Sequence, residues 1–158
     1  MNQPIVQTFK RYEKKYRLTT AQRAEFIRRV QPFMRPDDYG TYTIGSLYLD
    51  TPDFRLIRRS LEKPVYKEKL RLRSYGRADR EHPVFMELKK KYRSIVYKRR
   101  LTLPYGRALD CLTGDCPWPE TQIGREIGYA MDFYPDLEPR VFLSYERDSW
   151  YAPESGLR

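Results

Sequence analysis

Between Lys67 and Arg73 a cation stands at every second position: Lys67, Lys69, Arg71 and Arg73. Glu87, Lys89 and Lys91 repeat that spacing, as do Lys98 and Arg100, and near the N-terminus so do Arg11, Glu13, Lys15 and Arg17. Side chains two residues apart share one face of a β-strand. Each series therefore reads as a charged face, backed by Leu70 and Leu72, by Met86 and Leu88, by Tyr97, Arg99 and Leu101, and by Tyr12, Tyr16 and Leu18. Rows of Arg and Lys suit phosphate chemistry, since Arg grips phosphate oxygens bidentately and Lys supplies a compact point charge. Glu13 and Glu87 stand among these cations and fit two roles. They can pair internally, so that the cationic wall does not repel itself. They can also ligate Mg²⁺ or Mn²⁺, which binds through one or two carboxylates plus substrate phosphates. Spacing leaves both open.

The elements that must carry these faces are a mixture of strands and helices. Strands are expected over 9–18, 42–50, 66–75, 84–92, 94–103 and 140–150, from alternation and from β-branched and aromatic content. A helix over 21–34 places Ile27, Val30 and Met34 on one stripe, with Thr20 as its cap. A short helix follows Pro52 with Phe54, Ile57 and Leu61 at helical spacing. Two more are expected over 106–113 and 120–132, the second with Ile123, Ile127 and Ala130 inward. Asp50 and Asp53 read as turn and cap residues. The helices' apolar stripes must cover the apolar side of the strands. The charged sides then meet one another, on an open surface or inside a closed antiparallel barrel, and either makes a phosphate-binding groove or channel.

The chain has 158 residues and a formal net charge of +10 from 31 Lys+Arg and 21 Asp+Glu. The excess is local. Residues 67–100 hold thirteen basic and four acidic side chains, while residues 101–158 hold five basic and ten acidic ones. Such concentration implies an anionic partner. Aromatic residues at 15% argue against disorder. No apolar run approaches the ~20 residues of a membrane span, and no secretory leader is evident, so a cytoplasmic protein of a single domain, 1–158, is expected. Cys111 and Cys116 with the lone His82 fall short of the four ligands of a structural zinc site, and two free, partly buried thiols are expected. Nucleic acid is not the expected partner: recognition motifs are missing, and the charges lie on strand faces.

The series Arg11-x-Glu13-x-Lys15-Tyr16, SLYLDTPDF (46–54), EKPVYKEKLRLRSYG (62–76), VFMELKKKY (84–92), VYKRRLTL (96–103) and SYER (144–147) resembles the VTC domain. That family is the polyphosphate polymerase branch of the triphosphate tunnel metalloenzymes, or CYTH-like proteins. The resemblance implies an α+β fold: an antiparallel barrel, the triphosphate tunnel, with helices outside and the last strands lacking in this chain. It implies binding of ATP or another triphosphate and of polyphosphate, with metal-assisted transfer of the terminal phosphoryl group onto a growing chain. By motif, Lys15, Arg71, Arg73 and Lys89 would be catalytic phosphate ligands, and Lys69, Lys98, Arg100 and Arg147 further phosphate contacts. Glu87 and Glu13 would serve Mn²⁺ or Mg²⁺. Arg11 replaces the first acid of the superfamily's Glu-x-Glu-x-Lys pattern, as in the polymerase branch. The alternatives are a triphosphatase or cyclase using the same tunnel, and a non-catalytic module binding polyphosphate or inositol phosphates. Strand parity sets Arg147 with Val141, Leu143 and Tyr145, so that aiming it into a tunnel is expected to need a bulge, or a different role for that face.

Overall fold

A computed structural model describes residues 14–93 and 95–154. Their contacts divide into two compact units, one of residues up to Asp37 with those from Trp150 onward, the other Asp38–Ser149. The first unit holds α1 (Thr20–Val30). Its cap is Thr19, not Thr20: the Thr19 hydroxyl accepts from the Gln22 N–H at 3.2 Å, and the Gln22 side chain accepts from the Thr19 N–H at 2.9 Å. That reciprocal box needs Gln three residues after the cap, which only Thr19 has. The helix ends at Val30, before Met34. The strand expected over 9–18 lies outside the described residues up to Glu13, and residues 14–18 adopt no strand. Alternation alone does not hold a strand without ladder partners.

The second unit is built on an antiparallel sheet of five strands in the order β4-β3-β2-β1-β5. They are β1 (Arg35–Asp50), of which the residues from Asp38 belong to this unit, β2 (Tyr66–Tyr75), β3 (Pro83–Tyr92), β4 (Ile95–Pro104) and β5 (Glu138–Tyr151), which belongs to it up to Ser149. Among the described residues the sheet is open, with β4 and β5 as its edges, rather than closed into the expected barrel. Helices α2 (Arg55–Leu61), α3 (Tyr105–Thr113) and α4 (Gln122–Phe133) complete the unit. No helix among the described residues is long and apolar enough to cross a membrane.

One face of the sheet carries the core. The register sets Leu47 beside Leu72 and Met86 beyond it, and Leu49 beside Leu70 and Leu88. With Val84, Leu103, Leu56, Ala108, Ile127 and Ala130 these form one cluster, buried except for the half-buried Leu47 packed against it. Each large side chain there contributes roughly 2 kcal/mol by leaving water. Asp50 begins α2: one carboxylate oxygen accepts from the Thr51 and Leu56 N–H groups at 2.9 and 2.8 Å, the other from Ile57 at 3.0 Å. The polar groups reaching this face are paired. Glu68 accepts from the hydroxyls of Tyr66 and Tyr134, each at 2.8 Å, and Arg99 and Lys90 meet Glu126 of α4. Close packing of α4 depends on Gly124, where a Cβ would lie 2.0 Å from the Pro119 carbonyl oxygen.

Candidate functional site

The opposite face of the sheet gathers the alternating cations. Cα register aligns Tyr48, Arg71, Glu87 and Arg100 in one row across β1 to β4. The next row is Lys69, Lys89 and Lys98, and on the other side lie Ser46, Arg73 and Phe85. Alternation within single strands thus becomes a two-dimensional lattice of charge, because the three strands pair without a slip.

Glu87 is the centre of that lattice and is 2% exposed. Its Oε2 accepts from Arg71 Nε at 2.7 Å, with Arg71 Nη2 at 2.6 Å and Arg73 Nε at 4.0 Å. Its Oε1 accepts from Arg100 Nε and Nη2 at 2.9 and 2.6 Å, and Lys98 Nζ lies at 3.3 Å. Burial pushes this carboxyl's pKa up, but Arg71, Arg100 and Lys98 more than offset it and hold it at about 2. Four cations converge on one carboxylate, so the face keeps a large positive excess. Further contacts fix the guanidinium planes. Arg71 Nη1 donates to the Tyr48 hydroxyl at 2.9 Å, and the Arg100 guanidinium lies 4.7 Å from the Phe85 ring centroid. Arg73 Nε reaches Ser46 Oγ at 3.4 Å. At one end of the face Tyr75 lies tilted against Tyr42 and edge-on to Phe85, with ring centroids 5.8 and 5.4 Å apart, beside the fully buried Ile44.

The expected residues separate by accessibility. Side chains of Lys98 and Arg100 are 48% and 37% exposed, Arg71 22%, and Arg73 only 8%. Lys98, Arg100 and Arg71 thus present accessible side chains, whereas Arg73 is buried against Glu87 and Ser46. Lys69 is half-buried and Lys89 exposed in the neighbouring row. Lys67, although of the same parity, turns to donate to the Ser60 carbonyl at 2.9 Å and so braces α2. Arg147 is exposed on β5. It shares the face of Ser149, whose hydroxyl is 3.0 Å from that of Tyr42, and Tyr42 has the parity of Ser46 and Tyr48. No bulge is needed to place Arg147 on the basic face. Lys15 is exposed in the first unit, and Glu13 lies outside the described residues. Tyr48, Ser46 and Phe85 stand beside the cations without having been singled out by charge or motif. Their alternation in 42–50 and 84–92 carried the signal, but only the register reveals which cation each one holds.

A divalent ion does not fit the described acids by themselves. Both Glu87 oxygens are engaged by guanidinium groups, and among the described residues no cluster of three His, Cys, Asp or Glu is available to a metal. Of the two roles open to Glu87, the geometry displays the internal ion pair.

The family model of the VTC domain matches residues 10–158, nearly the whole chain. The chain belongs to the VTC domain family. No curated protein matches it. Among solved structures, this VTC chain is similar to one from Bacillus halodurans described as a "putative adenylate cyclase", at 17% identity and a TM-score of 0.53. The match covers 82% of this chain and 60% of that one, so the VTC chain spans less than two thirds of that relative's length. At this identity the likeness concerns the fold alone.

Proposed function

We propose that this VTC-domain chain binds ATP or another triphosphate, together with polyphosphate, on its basic face and transfers the terminal phosphoryl group onto a growing polyphosphate chain. The observation that supports this reading is the pair of adjacent rows, Arg71–Glu87–Arg100 and Lys69–Lys89–Lys98, held in register across three strands. A linear polyanion laid across such rows meets planar guanidinium groups on one side and point charges on the other. Phosphoryl transfer asks little covalent work of a protein and depends on positioning and charge neutralisation. Glu87 supplies the positioning by fixing Arg71 and Arg100 in orientation before substrate arrives. Lys69, Lys89 and Lys98 offset charge near the transferred group, and Arg147 would extend the contact along the chain. In this reading the five strands are part of a tunnel wall.

A second reading, a non-catalytic module binding polyphosphate or inositol phosphates, is favoured by one observation. The site's buried acid is consumed by its own cations. Incubation of the purified chain with ATP and Mn²⁺ separates the readings. The polymerase reading predicts acid-labile polymeric phosphate, lost in Arg71→Ala. Orthophosphate alone would establish the triphosphatase alternative, and tight polyphosphate binding without ATP turnover the binding module.

A further inference from the structure

The two cysteines lie far from the basic face in role, and the function above does not use them. Cys111 is the seventh residue of α3 and is 4% exposed, and Cys116 is half-buried beyond the helix end. Gly114 ends the helix with φ of 85°, a left-handed conformation that reverses the chain and that glycine adopts without strain. Asp110 fixes the reversal, its carbonyl accepting from the N–H groups of Asp115 and Cys116 at 2.8 and 3.2 Å. The consequence is an Sγ–Sγ separation of 2.8 Å between two free thiols. Cys111 Sγ also lies 3.4 Å from the Pro117 carbonyl oxygen, and Cys116 Sγ 3.8 Å from that of Arg107. Among the described residues no further ligand joins them, so a metal site is not what the turn builds.

We propose that Cys111 and Cys116 form a modification site, closed to an intrachain disulfide by hydrogen peroxide. Half-buried Cys116 reacts first. Its sulfur attacks one peroxide oxygen, the O–O bond breaks, and water leaves, giving a sulfenic acid. Cys111 Sγ then attacks the Cys116 sulfur; the S–S bond forms, the S–O bond breaks, and hydroxide takes the Cys111 proton and departs as water. Two thiols and one peroxide give one disulfide and two waters. Burial, then the hydrogen bond with Cys116, pushes the Cys111 thiol up to about 12, so it stays protonated and unreactive until its neighbour is oxidised. Cys111 thus resolves and Cys116 senses.

The test treats the full chain with an equivalent of hydrogen peroxide, then measures thiol titre and intact mass. The expected result is loss of both thiols in a monomer, with a mass decrease of about 2 Da for the two hydrogens removed. Cys111→Ala should instead leave a Cys116 sulfenic acid that a dione reagent captures, and Cys116→Ser should keep the Cys111 thiol unreacted. Sulfenic acid captured in the wild-type chain at the level of Cys111→Ala, disulfide-linked dimers, or two surviving thiols would each overturn the proposal. α3 packs on β3 and β4, whose register is independent of the thiols, so oxidation is expected to leave polyphosphate binding unchanged.

Discussion

At the scale of single residues, the basic face is organised around Glu87. A carboxyl held at about 2 against an ordinary 4.5 favours the folded state, because the folded chain binds the proton less well than the unfolded one. That contribution is complete above about pH 4.5 and is lost as pH falls from there through 2. The shift corresponds to about 3 kcal/mol. Melting temperatures measured across this window should fall steeply for the wild type. Glu87→Gln should melt lower at neutral pH, by an amount equivalent to about 3–5 kcal/mol, because four cations lose their shared counter-charge. Its melting temperature should also vary less between pH 4.5 and 2; an equally steep fall would show that another carboxylate carries the effect. The identity of these residues was legible in sequence, since cations two apart on strands rich in Leu announce a charged face. The choice between ion pair and metal ligand was not. It depends on which guanidinium reaches which oxygen, and that is decided by register between strands many residues apart.

At the scale of elements, local signals and packing carried different shares. β2, β3 and β4 were readable almost to the residue, because charged and apolar residues alternate there. β1 begins earlier than its apolar run, at Arg35, since ladder pairing extends a strand whose own residues are polar. Residues 14–18 show the converse, alternation without a strand. Two glycines of α4 give a sharp contrast. Gly124→Ala forces a Cβ to 2.0 Å from a backbone oxygen and should destabilise by about 2 kcal/mol. At Gly128 the nearest atom to a new Cβ is Trp118 Cδ1 at 3.4 Å, an ordinary contact, so Gly128→Ala should be neutral or stabilise by up to about 1 kcal/mol. Urea titration of both variants checks this, and equal losses would show that α4 does not dock against 119–121 as described.

At the scale of the whole molecule, the charge of +10 acquires a location. Most of it stands on one face of a sheet whose other face is the core, so the same alternation that builds the fold also builds the site. Helical packing on the apolar side leaves the cations facing away, toward a ligand or toward further strands. Polyphosphate affinity should therefore fall steeply with added salt, as counterions released from the polyanion compete. Removing one cation from the lysine row should flatten the slope of log K against log salt by about one. A slope unchanged in Lys69→Gln would mean that the polyanion lies elsewhere.

The most direct test of the basic face is calorimetric titration of inorganic tripolyphosphate into the wild-type chain and into Lys69→Gln/Lys98→Gln. This variant spares Arg71, Arg73 and Arg100, three of the four cations that anchor Glu87. The wild type should bind, and the double variant should lose at least about tenfold, or about 1.4 kcal/mol, in affinity. Equal affinity in both, or no binding by the wild type, would contradict binding on this face.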